Sequence, residues 1–121
     1  MDWKLNKNRP ICPQICEQIC VKIASGQFLK GEKLMSVREV AVQAGVNPNT
    51  VQKAFEQLEA EGLIYSVRSL GWFVGENTEL ARKKVEQIIL EKTDAFLVEM
   101  QVLGLTADQV KHYVEERCCD E

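Results

Sequence analysis

A chain of 121 residues with 45% apolar and 27% charged side chains has a globular make-up, which argues against disorder. No apolar run approaches the roughly 20 residues a spanning helix needs, so a membrane partner is not expected. The length fits one domain, or a small domain of about 75 residues carrying an appendage too short to bury a core alone. The net charge of −3 is unevenly placed: residues 1–75 hold nine Lys or Arg against seven Asp or Glu, and residues 76–121 hold six against eleven. A front half at +2 suits a face turned to nucleic acid, although modestly, and a rear half at −5 suits solvent or a protein partner. The start, Met1 to Lys7, lacks the apolar stretch of a signal peptide, so a cytoplasmic location and reduced thiols at the five cysteines are expected. With one histidine, no Gly-rich phosphate loop and no nucleophile elbow, neither enzyme chemistry nor a cofactor is expected.

Ile11, Ile15, Ile19 and Ile23 recur at i, i+4 and predict a helix from about residue 12 to Ser25, with Pro13 tolerated in its first turn and Gly26 stopping it. Ser36-Val37-Arg38-Glu39 reads as a capping box, opening a short helix with Val37, Val40, Ala41 and Ala44 as its apolar stripe. Gly45-Val46 makes a turn. Asn47 then serves as N-cap and Pro48 as N1 of a third helix, in which Val51, Ala54, Phe55 and Leu58 repeat at helical spacing until Gly62. Two capped helices around a short Gly-containing turn form a helix-turn-helix. Ile64–Val67 and Trp72–Val74 are β-rich and flank Arg68-Ser69-Leu70-Gly71, which predicts a small hairpin, the wing.

From about Thr78 to Leu103 a longer amphipathic helix carries Val85, Ile88, Ile89, Phe96, Leu97, Met100 and Leu103. Gly104 breaks it. Thr106 and Gln109 form a second capping box, opening a last helix with Val110, Tyr113 and Val114 on one face. Two such helices expose more apolar surface than they can bury against each other, so a second copy of the chain is the expected partner. The expected fold class is therefore mainly α with a small β-hairpin: a winged helix-turn-helix over residues 1–75 and a two-helix dimerisation element over residues 76–121. So short a tail is expected to leave little room for a ligand pocket of about 300 Å3 except between subunits.

The third helix turns Asn49, Gln52, Lys53, Glu56 and Gln57 away from its apolar stripe. Asn and Gln can pair with adenine N6 and N7 in a major groove, and Lys suits phosphate or guanine acceptors. Arg38 follows the capping serine and can reach a phosphate or a guanine edge, or alternatively pair with Glu39 or Glu32. Arg68 at the hairpin tip suits the negative potential of a minor groove, or is a solvated turn residue.

Arg9-Pro10-Ile11, Gly31-Glu32-Lys33-Leu34, Ser36-Val37-Arg38-Glu39, Val46-Asn47-Pro48-Asn49-Thr50-Val51, Glu61-Gly62-Leu63-Ile64 and Gly71-Trp72-Phe73-Val74 together resemble the DNA-binding domain of the GntR family of bacterial transcription regulators. The resemblance covers residues 9–75 without a gap, and the short tail is similar to that of the YtrA-type subgroup. It implies a sequence-specific regulator, as a rule a repressor, binding a palindromic double-stranded DNA operator as a homodimer through its C-terminal helices. It assigns DNA contact to Ser36, Arg38, Asn47, Asn49, Thr50, Gln52 and the wing from Arg68 to Gly71; the helix face adds Lys53. The chain departs from the family at Met35, where proline is common, and at Ser69, where the wing tip usually has a glycine. The residues name no small-molecule effector.

Two other functions fit parts of the pattern. A winged helix can bind protein through the same polar face, which the low +2 charge favours. Alternatively Cys12, Cys16 and Cys20, spaced i, i+4, i+8, could make a thiol-based metal or redox sensor, with Cys118, Cys119 and His112 at the other end. An i+8 spread of roughly 12 Å allows at most two of the three to share an ion bound at about 2.3 Å per sulfur, and free cysteine otherwise behaves as a small apolar residue.

Overall fold

A computed structural model describes residues 2–119. In chain order its elements are α1 (Ile11–Ala24), α2 (Val37–Ala44), α3 (Pro48–Ala60), β1 (Ile64–Val67), β2 (Gly71–Val74), α4 (Glu79–Val102) and α5 (Ala107–Cys118). The chain divides into two compact units, one ending at Glu86 and the other beginning at Gln87. Helix α4 starts in the first and continues into the second.

The first unit is built around α1 and α3. Ile15, Cys16, Ile19, Cys20 and Ile23 of α1 are buried with Val51, Ala54, Phe55 and Leu58 of α3, so each apolar row foreseen from spacing became a core face. Cys16 and Cys20 sit in this core as ordinary apolar side chains, and Cys12 packs against its edge. Helix α2 adds Val40 and Ala41. Its start is set by the reciprocal cap: Glu39 N–H donates to Ser36 Oγ and Ser36 N–H donates to Glu39 Oε1, both at 3.1 Å. Met35 in place of proline leaves this cap intact. The end of α2 is set by Gly45, whose φ of 67° is a left-handed conformation that a side chain disfavours.

β1 and β2 pair antiparallel with Ile64 opposite Val74 and Val67 opposite Gly71, one residue longer at the second strand than spacing suggested. The hairpin is not alone. Gly31 N–H donates to Val74 O (2.9 Å), Val74 N–H to Glu32 O (2.9 Å) and Leu34 N–H to Trp72 O (2.8 Å), so residues 31–34 line the free edge of β2 through a Lys33–Phe73 bridge. Behind it the Trp72 ring meets Phe55 edge-on, centroids 5.4 Å apart.

An N-terminal strap closes the unit. Gln18 accepts from Lys4 N–H (3.0 Å) and donates to Lys4 O (2.9 Å), and Gln14 does the same for Asn6 at 2.7 and 2.8 Å. Two glutamines of α1 thus give an extended segment the partners a sheet would supply. Trp3 and Leu5 pack on the core from this strap, and Lys7 Nζ donates to Gly45 O at 2.9 Å, tying the strap to the end of α2. Ala81, Leu80 and Val85 of α4 join the same core, with Lys84 3.4 Å from Glu61.

In the second unit, α4 gives way to α5 through Gly104, and Thr106 and Gln109 form the foreseen capping box at 2.8 and 3.3 Å. Val110 is buried, whereas Ile89, Leu90, Phe96, Val98, Val102, Leu103, Tyr113 and Val114 remain exposed. Phe96, Met100, Leu105, Val110, Tyr113 and Val114 line an open, mainly apolar concavity of about 530 Å3, with Arg117 at its margin. The expectation of little room for a ligand pocket within one tail is amended to this extent: α4 and α5 leave an open groove of that size between them, lined by side chains that are largely exposed.

Candidate nucleic-acid interface

The helix-turn-helix is α2, the turn Gly45-Val46-Asn47, and α3. Asn47 Oδ1 accepts from Asn49 N–H at 2.8 Å, and Thr50 N–H donates to Asn47 O at 3.0 Å. Capping therefore occupies Asn47 Oδ1, as it occupies one lone pair of Ser36 Oγ; the amide of Asn47 and the hydroxyl hydrogen of Ser36 remain as donors. Asn49 and Lys53 are exposed and Thr50 is half-buried. Gln52, also half-buried, donates to Glu56 Oε1 at 3.1 Å, one turn along the same face. That bond fixes the Gln52 amide while leaving its carbonyl oxygen open. The alternative partners for Arg38 are not taken: it is exposed and makes no hydrogen bond or ion pair among the described residues. Lys53 and Arg68 are equally uncommitted. Three unpaired cations near capped helix starts and a hairpin apex form a surface suited to anionic phosphate.

The carboxylate within this surface has a structural duty. Glu39 accepts from the Ser36 backbone, and this bond first, then the one to the Ser36 side chain, lowers its pKa below the ordinary carboxylate range, with a smaller contribution from Lys33. Lys33 was not singled out from the sequence. Its stem runs along the wing, for a Cβ placed on Gly71 would lie 3.4 Å from Lys33 Cε. The only advance signal was its place in Gly31-Glu32-Lys33-Leu34, which spacing alone does not connect to a hairpin forty residues later.

At the wing tip Leu70 N–H donates to Val67 O at 3.0 Å, and Gly71 has the positive φ expected of it, 114°. Ser69, standing where a glycine is usual, still adopts φ of 68°, a left-handed conformation uncommon for a side-chain-bearing residue. Serine therefore holds at this position a conformation that glycine adopts without strain.

Two of the three thiols of α1, Cys16 and Cys20, offer little reactivity. Burial, first, and the neighbouring Cys12 push Cys16 up to about 12, and burial pushes Cys20 up to about 11. Cys16 Sγ lies 3.4 Å from Ala54 O inside the core, and the half-buried Cys12 Sγ lies 3.9 Å from Gln57 Oε1, toward α3.

Residues 13–74 match the family described as bacterial regulatory proteins, gntR family. The chain belongs to the GntR family. It is 34% identical over 113 residues to the HTH-type transcriptional repressor YtrA of Bacillus subtilis, covering 92% of this chain and 86% of that one. Among solved structures, a GntR family transcriptional regulator from Listeria monocytogenes superposes with a TM-score of 0.79 at 33% identity, over 93% of this chain and 98% of its own. The DNA-binding domain of AraR, solved in complex with operator ORE1, matches with a TM-score of 0.54 at 32% identity over 62% of this chain and 94% of its own. This GntR chain is thus a transcriptional regulator with a winged helix-turn-helix DNA-binding domain. No helix among its described residues is long and apolar enough to cross a membrane.

Proposed function

We propose that this regulator is a sequence-specific repressor that binds a palindromic operator as a homodimer and acts in the cytoplasm, where the chromosome is. The observation that carries the reading is the capped α2–α3 pair with Arg38 and Lys53 exposed and unpaired, in a chain that resembles a repressor nearly end to end. The DNA-binding domain spans residues 1–75 and the dimerisation element residues 76–121. Asn49, Gln52 and Lys53 of α3 read base edges in a major groove; Ser36, Arg38, Asn47 and Thr50 hold phosphates beside it; Arg68 and the Gly71 backbone approach the minor groove. The apolar residues left exposed on α4 and α5, Ile89, Leu90, Phe96, Val98 and Val102 among them, support a face that a second copy covers. Two recognition helices about 34 Å apart then occupy successive major grooves and block a promoter.

Selection of duplexes from random DNA by the full chain tests this directly. The expected product is an inverted repeat whose affinity falls steeply with salt, and Arg38→Ala or Gln52→Ala should each weaken binding by about 1–3 kcal/mol. Recovery of unrelated sequences, with indifference to salt and to both substitutions, would instead mark the α3 face as a protein-binding surface.

A further inference from the structure

We propose that the wing reads the minor groove through an apolar contact from Leu70, with Lys33, which lies outside the hairpin, gripping a flanking phosphate; the idea rests on the DNA-binding reading above. Leu70 is 60% exposed at the hairpin apex, beside Arg68, which is exposed and unpaired. This apex is not a slack loop. Leu70 N–H closes the turn on Val67 O, Tyr65 and Phe73 stack behind it with centroids 5.6 Å apart, and residues 31–34 brace the far edge of β2. A leucine held out on a braced tip is presented at little entropic cost.

The chemistry of a minor groove fits that pair of side chains. Its negative potential, deepest where A·T runs narrow it, attracts an arginine, and its sugar walls and base steps accept an apolar wedge. A guanine 2-amino group on the floor would obstruct both, so A·T steps should be preferred where the wing lands. Lys33 supplies what the hairpin lacks. Its stem lies against Gly71, and its ammonium is near enough to Glu39 to act on that carboxylate. It therefore stands between the wing and the start of α2, where Ser36 and Arg38 begin. A phosphate on the groove edge between those two elements would meet Lys33 first. A side chain at Gly71 would only touch that stem, and it is the φ of 114° there that favours glycine.

The test uses the full chain and a duplex it selects from random DNA, with binding read by fluorescence anisotropy from low to high salt. Leu70→Ala should weaken binding about tenfold without changing the salt slope, since it removes apolar contact and no charge, while Leu70→Met should stay close to wild type. Lys33→Ala and Arg68→Ala should each lower the slope by about one. In the flank under the wing, inosine·cytosine pairs, which lack the 2-amino group, should bind like A·T, and G·C pairs should bind worse. Thermal melts of the Leu70 variants should match wild type, because the residue is exposed. Wild-type affinity for Leu70→Ala, or equal binding to inosine·cytosine and G·C flanks, overturns the proposal while leaving DNA binding standing. Failure of the wild-type chain to select any duplex removes both.

Discussion

Gly75→Ala should destabilise the first unit more than any other single methyl added at a glycine of this chain. Gly75 follows β2, and its N–H donates to Leu63 O at 2.9 Å, which draws the two backbones together. A Cβ there would lie 2.9 Å from Gly62 O, 3.0 Å from Leu63 O and 3.2 Å from Leu63 C. All three atoms are backbone, so no side-chain rotation relieves the clash; either the strand end shifts or the hydrogen bond lengthens. Overpacking of this kind costs about 1–3 kcal/mol. In a unit of this size each kcal/mol lowers the melting temperature by about 4–8 °C, so about 2 kcal/mol means a fall of roughly 8–16 °C. Gly26→Ala is the control: nothing lies within 4 Å of its Cβ, and only its φ of 81° opposes the change, at about 1 kcal/mol. Circular dichroism melts and urea titrations of the full-length variants would measure both. A Gly75→Ala protein melting with wild type, or above Gly26→Ala, would refute the claim that backbone approach makes glycine necessary there.

Ser36→Ala removes one side of the α2 cap and should cost about 1 kcal/mol in urea unfolding, whereas Ser36→Thr should retain most of it. Cys16 and Cys20 hold their protons far more tightly when folded, up to about 12 and about 11 against an ordinary 9.0. Above about pH 9 the unfolded chain therefore sheds protons that the folded chain keeps, and stability should fall with rising pH by up to about 1.4 kcal/mol per unit for each thiol. Below that pH the two thiols contribute no slope, and the Cys16→Ala, Cys20→Ala double variant should lose this part of the alkaline decline; an unaltered decline would mean the thiols are not shielded. Phe96→Glu places a charge in the apolar concavity of α4 and α5 and should shift sedimentation toward monomer and reduce operator affinity, with the melting of the first unit unaffected.

What could be read in advance follows from the range of the interaction responsible. The starts of α2, α3 and α5 were legible because a cap joins residues two or three apart: Ser36 to Glu39, Asn47 to Asn49, Thr106 to Gln109. The core faces of α1 and α3 were legible because helical spacing repeats within one element. The strap was not, since Lys4 and Asn6 find their partners in Gln18 and Gln14, polar residues whose periodicity carries no message about an extended neighbour. The third line of the wing was hidden for the same reason, because Lys33 and Phe73 are forty residues apart and only the assembled fold brings them together.

That difference bears on the DNA-contacting surface. Arg38, Asn49, Gln52 and Lys53 follow from local helix geometry, whereas the setting of the wing depends on long-range pairing through residues 31–34. Variation of the side chains at Lys33 or at the wing tip should therefore change what the wing touches while leaving its backbone pairing and the α2–α3 motif in place. Regulators sharing the α2–α3 motif can then diverge in flank preference by changing residues outside it, at the wing tip and on the 31–34 segment that edges β2.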